Sequence, residues 1–196
     1  MTKKRGGLEP DKYLSAQELY KLRCYLTYRA KLGSNRAIID RVIIELMIVS
    51  GLRASEVCAL NIEDTPFSHK KPVVWVRNGK GGVTHAPDIS DNLVNLLNAY
   101  IWHYRITAKP NEPLFVSYSG KRLIYQTLYA KIRKIGQNIG IKLHPHMLRH
   151  TCGTLCYHNS KDLRFVQDQL GHSTLAMASR YAATNNKDRR QYINSI

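Results

Sequence analysis

The sequence predicts a mainly α-helical single domain with one small antiparallel hairpin, an α+β arrangement in which helices dominate. Three observations lead there. Apolar residues recur at helical spacing along most of the chain, and one β-branched and aromatic run is followed by a glycine-rich turn and a second extended run. The chain has 196 residues, 43% of them apolar, which suffices for one buried core. That apolar content also excludes a mainly disordered chain. No stretch approaches the ~18–20 uninterrupted apolar residues of a membrane span.

The elements follow in order. Ser15-Ala16-Gln17-Glu18 has the form of a capping box, so a helix is expected to begin near Ala16 with Leu19, Leu22 and Leu26 on its apolar face. A second helix spans 36–50, where Ile38, Ile39, Val42, Ile43, Leu46 and Val49 give an almost continuous apolar surface and Gly51 supplies the stop. That surface marks a central core helix. Residues 55–60 form one or two further turns, placing Arg53 in the junction and Glu56 one turn away. Val73-Val74-Trp75-Val76-Arg77, then Asn78-Gly79-Lys80-Gly81-Gly82, then 83–89 read as a β-hairpin, with Lys80 in its turn or at the start of the second strand. Ser90 or Asp91 caps a helix reaching about Ile106, and Leu114-Phe115-Val116 is a short strand. A basic amphipathic helix over 125–138 carries Lys131, Arg133 and Lys134. Pro145 suits the first turn of a helix bearing His146, Arg149 and His150 and ending near Tyr157. Residues 162–170 form a short helix closed by Gly171, and Ser173 or Thr174 caps a last one through Tyr181. The expected organisation is a basic segment over 1–12, one domain over 13–182 and a polar tail over 183–196.

Charge and rare residues bound the function. The 30 Lys+Arg exceed the 14 Asp+Glu by 16, an excess that is costly in self-repulsion unless a polyanion shares the surface, and nucleic acid is the usual polyanion. The basic N-terminus has no apolar stretch behind it, so it is not a secretory signal, and the expected location is the cytoplasm. Cys24, Cys58, Cys152 and Cys156 show no C-x-x-C pairing and are expected to be free thiols. His144, His146 and His150 crowd together, but Met147-Leu148 follows His146 where a zinc H-E-x-x-H motif has its Glu. No metal or other cofactor is assigned. A metal-dependent nuclease built on those three histidines is the alternative, and it predicts inhibition by EDTA.

Four segments combine into one constellation: Ser50-Gly51-Leu52-Arg53-Ala54-Ser55-Glu56-Val57, Lys80, His146-Met147-Leu148-Arg149-His150-Thr151, and Leu170-Gly171-His172-Ser173 with Tyr181 nine residues after His172. In this order and spacing the set resembles the catalytic domain of the tyrosine recombinase (phage integrase) family, over roughly Tyr13 to Ala182. The family pattern of Arg, Lys, His-x-x-Arg, His and Tyr is filled at every position. The resemblance implies that fold and a site-specific recombinase that cleaves and rejoins duplex DNA through a 3′-phosphotyrosyl intermediate, without metal or ATP.

The residue types suit that chemistry on their own terms. Attack on a phosphodiester builds negative charge on non-bridging oxygens, and guanidinium groups meet it bidentately without losing their protons. Arg53 and Arg149 are the candidates, with His172 donating a further bond. Lys80 is the general acid by resemblance to the family's hairpin lysine, and His146 occupies the family's acid/base position. Glu56 and His150 match supporting positions. Tyr181 would be the nucleophile; a phenol with a pKa of ~10 is mostly protonated at neutral pH, and adjacent Arg and His groups favour its anion. Arg77, Lys131, Arg133, Lys134 and Arg180 are assigned to the DNA backbone.

Departures are specific. Thr84-His85-Ala86-Pro87 puts His85 where the family commonly has another basic residue, and Met177-Ala178-Ser179-Arg180 replaces the usual residues before the Tyr. The family's N-terminal helical domain has no room ahead of Tyr13, so the chain is either a catalytic fragment or a minimal recombinase. Partners implied by the family are duplex DNA with paired sites and further copies in a synaptic tetramer, a monomer being equally expected free in solution; the polar tail is a separate candidate for docking on a neighbouring protomer, and bound to DNA the chain would be nucleoid-associated. The alternative from another class is a DNA-binding regulator that has lost turnover.

Overall fold

The computed structural model describes residues 10–69, 71–77 and 84–182. Among these, helices dominate: α1 (Ala16–Lys31), α2 (Asn35–Ser50), α3 (Ala54–Ala59), α4 (Pro66–His69), α5 (Asp91–Tyr104), α6 (Tyr125–Asn138), α7 (Pro145–Ser160), α8 (Leu163–Leu170) and α9 (Leu175–Ala182). Short 3-10 turns occupy Pro10–Lys12 and Ile62–Asp64. The capping box at Ser15 forms as its sequence dictates, with the Glu18 amide donating to Ser15 Oγ at 3.3 Å and the Ser15 amide to Glu18 Oε2 at 2.9 Å.

Helix α2 is the central element. Val42, Leu46 and Met47 are fully buried, and α1, α5 and α7 pack around it. It ends at Gly51, whose φ of +68° is the left-handed conformation that glycine adopts without a side-chain clash. Arg122 gathers the carbonyls at the end of α3, donating Nη1–H to Cys58, Ala59 and Leu60 and Nη2–H to Asn61 Oδ1. A smaller apolar cluster of Cys152, Val166, Leu170, Ala178 and Tyr181 joins α7, α8 and α9.

The expected hairpin is present as two antiparallel bridges, Val73 with Asp88 and Val76 with His85. Its connection, including Lys80, lies outside the described residues, as do residues 1–9 and 183–196. The segment 114–116 forms one bridge, Val116 with Arg122, rather than a strand. Helix α5 stops at Tyr104, two residues short of expectation, and α7 runs three residues beyond it to Ser160. All four cysteines are free, Cys24 exposed and Cys58 and Cys152 buried. No helix among the described residues is long and apolar enough to cross a membrane.

Candidate active site

The turn out of α2 places Arg53 as the N-cap of α3, and the third helical residue, Glu56, reaches back to it. Glu56 is buried: Oε2 accepts the Arg53 backbone N–H at 2.7 Å, and Oε1 accepts Arg53 Nη1–H at 2.6 Å. Arg149 projects from α7 into the same place. It is 5% exposed, donates Nη1–H to the Gly51 carbonyl at 2.7 Å and Nη2–H to the Leu170 carbonyl at 2.6 Å, and lies 3.9 Å from Glu56 Oε2. Burial, and then the neighbouring Arg53, push its pKa down from the usual guanidinium value, against the pull of Glu56. Two arginines thus share one buried carboxylate. The cluster carries net positive charge, which an incoming anion would balance.

His146, in the first turn of α7, is exposed and lines a small cleft of about 90 Å³ with Arg53, Ser55, Tyr125 and Arg149. His144 caps α7, its Nδ1 accepting the Met147 amide at 3.2 Å. Behind the arginines, Tyr181 is only 2% exposed. Its hydroxyl lies 3.2 Å from His150 Nδ1, and its ring stacks on His172 with centroids 6.2 Å apart at 10°. Burial pushes the phenol up to about 12, opposed by Arg149 and Arg180. The ring also lies over Gly153 of α7, where a β-carbon would come 2.5 Å from Tyr181 Cζ. Gly153→Ala is therefore expected to displace the ring and destabilise the protein by about 1–3 kcal/mol, read as a lower urea midpoint.

His150 and His172 both titrate at about 4, because burial and the nearby cations, Arg149 among them, disfavour a second positive charge. Unfolded, each would take its proton near 6.5. Between 6.5 and 4 the unfolded chain therefore binds protons that the folded one refuses, so stability contributed by these sites at neutral pH is lost as the pH falls through that window. The melting temperature is expected to drop on acidification from pH 7 to 4.5, and His172→Gln should flatten that slope; an unchanged slope would place the acid sensitivity elsewhere.

The predicted backbone contacts divide. Arg133, Lys134 and Arg180 are exposed. Arg77 is held by Glu63 at 3.1 Å and Asp64 at 2.7 Å, and Lys131 by Asp40 at 2.6 Å, so part of their charge is already balanced. His85 is the residue the sequence placed at the margin. Its ring lies against Gly171, where a β-carbon would approach it to 2.8 Å, and the charges of Glu56, Arg149 and Arg53 all act on it while burial pushes its pKa down. Among the described residues no group of three or more His, Cys, Asp or Glu side chains is arranged to hold a metal ion.

The profile of the phage integrase family matches residues 12–188. Tyrosine recombinase XerA of Pyrococcus horikoshii is 35% identical over 158 residues, covering 79% of this chain and 53% of the relative. Among solved structures, a XerA recombinase aligns with a TM-score of 0.75 at 28% identity, over 93% of this chain and 64% of that one. XerH, a site-specific recombinase captured on a palindromic difH substrate after cleavage, aligns at 0.76 and 26% identity, over 96% of this chain and 54% of that one. The chain spans about half the length of the relatives it matches in sequence.

Proposed function

This chain belongs to the phage integrase family of tyrosine recombinases, and we propose that it cleaves and rejoins duplex DNA at specific sites through a phosphotyrosyl intermediate on Tyr181. The observation that carries the reading is the meeting of Arg53 and Arg149 over the buried carboxylate of Glu56, beside the cleft lined by His146. A scissile phosphate seated there would receive charge-assisted bonds from both guanidinium groups, strengthened as its oxygens gain charge in the five-coordinate transition state. His172, neutral above about 4, donates one N–H to the same group.

The Tyr181 oxygen attacks phosphorus, forming the P–O bond to the phenol as the bond to the 5′ oxygen breaks. The phenolic proton passes to His146, and Lys80 protonates the departing 5′ hydroxyl. Rejoining is the same exchange in reverse, so the phosphodiester bond is conserved. With Tyr181 buried in the free protein, attack requires α9 to move and bring the phenol out past His150. Arg133, Lys134 and Arg180 supply sequence-independent grip, while copies of the chain assemble on paired sites. A cytoplasmic location follows from that substrate.

The test is covalent trapping. A pool of nicked duplexes, whose short 5′ fragment diffuses away after cleavage, is incubated with the protein in EDTA. The expected result is a detergent-stable adduct whose phosphopeptide contains Tyr181, and sequencing the trapped DNA gives the site. No adduct, or one on another residue, overturns the proposal.

A further inference from the structure

We propose that Gln169 is a positioning residue for the hairpin that carries Lys80, latching the base of its second arm to the helix that leads into His172. The inference rests on the reading that Lys80 protonates the leaving hydroxyl.

The hydrogen-bond pattern of the hairpin points to it. Val76 and His85 exchange both backbone bonds, at 2.8 and 3.2 Å. Around the other bridge the bonds belong to the flanking residues, Val74 N–H to the Pro87 carbonyl at 3.2 Å and Ile89 N–H to the Pro72 carbonyl at 2.8 Å. In such a pair both backbone groups of each residue point away from the partner strand. Asp88 therefore presents its N–H and C=O at an open edge, where a third strand would pair with them.

Gln169 takes the place of that strand. Its Oε1 accepts the Asp88 N–H at 3.1 Å and its Nε2 donates to the Asp88 carbonyl at 2.8 Å. Nε2 also donates to the Val49 carbonyl in the last turn of α2, at 3.1 Å. One buried primary amide, 5% exposed, thus joins the second arm, α2 and α8. A primary amide matches the donor and acceptor spacing of a backbone amide. Glutamate would set a carboxylate against two carbonyl oxygens, and methionine would leave the backbone groups unpaired.

The same arm is held again three residues earlier, where the His85 ring lies against Gly171. The first arm is anchored separately, by Trp75 N–H to the Asp64 carbonyl at 2.9 Å. Both arms that enter the Lys80 connection are therefore fixed to the body of the protein. The second is fixed to Gln169, three positions before His172, so the arm leading into that connection and the proposed phosphate ligand share one support.

The test uses the nicked duplex recovered by trapping, synthesised with either oxygen or sulfur as the 5′ bridging atom. A thiolate, whose parent thiol has a pKa of about 8.5, leaves without a proton donor. Gln169→Met and Gln169→Glu are expected to slow single-turnover cleavage of the oxygen substrate by about 10²-fold and to cleave the sulfur substrate at close to the unsubstituted rate. Lys80→Ala should show the same split, and adding Gln169→Met to it should cost nothing further on oxygen. Equal losses on both substrates by the Gln169 variants, or additive losses with Lys80→Ala, overturn the inference. Failure of sulfur to rescue Lys80→Ala itself overturns the assignment of Lys80, and the inference with it. In the unsubstituted chain the Asp88 amide should be protected from hydrogen exchange, and rapid exchange there overturns the latch whatever the kinetics.

Discussion

Tyr181→Phe is expected to abolish the covalent adduct completely while leaving DNA affinity within a few-fold of the unsubstituted protein. The substitution removes one oxygen and keeps the ring. That ring is what packs over Gly153 and stacks on His172, so the apolar cluster of α7, α8 and α9 survives. The lost hydroxyl makes a 3.2 Å contact with His150 Nδ1, a half-buried group whose loss as partner costs on the order of 1 kcal/mol. Folding is thus retained and the nucleophile is gone. Adduct on a nicked duplex, measured by gel mobility under denaturing conditions, is the readout, and residual adduct would place the nucleophile elsewhere.

Arg149→Ala is expected to lose both rate and stability, and Arg53→Ala chiefly rate. Each removes a cation from the phosphate, worth about 3 kcal/mol of transition-state stabilisation by analogy with a preorganised oxyanion donor. Arg149 is also a structural bond. Without it the Gly51 and Leu170 carbonyls lose their Nη donors and Glu56 loses one of its two neighbouring charges, in a place where unpaired groups cost about 1–3 kcal/mol each. Arg53 is 21% exposed at its side chain and, among the described residues, is bonded to Glu56. Single-turnover cleavage with denaturant unfolding separates the two; equal stability losses would show that Arg149 does not hold the two carbonyls as a joint.

The readable part of this chain was the part encoded locally. Capping at Ser15, the apolar surface over 36–50 and Pro145 at a helix start are each written within a few residues, and α1, α2 and α7 form there. The candidate site residues could be named because their family pattern is a set of short spacings. What escaped was non-local or too short. Helix α4 has four residues, too few for a period, and the ion pair of Lys131 with Asp40 spans 91 positions. The partner of the second hairpin arm lies 81 positions downstream. One signal for it was available: Gln169 stands three residues after Val166 and beside Leu170, a polar residue on the buried face of α8. His85 was noticed only as a departure, because nothing local says that its ring meets Gly171. The burial of Tyr181 was equally unreadable, since it depends on how α9 returns to α7.

The two apolar clusters are unequal, and Tyr181, the proposed nucleophile, belongs to the lesser one. Five buried side chains hold α9 and α8 on α7, whereas the larger cluster runs from α1 to α7. Undocking α9 alone, which gives Ala178 and Tyr181 to the smaller cluster, costs only part of the global unfolding free energy, so it is expected to open as a sub-global event while Arg149 and Gln169 keep α8 in place. In the proposed reaction that cost is subtracted from DNA binding: every ~1.4 kcal/mol that docks α9 makes the cleavage-ready complex tenfold scarcer. On that proposal the grip of the exposed cations on the DNA backbone does more than set affinity. It is the reserve from which the release of Tyr181 is drawn, which ties cutting to firm attachment and leaves the unattached protein inert.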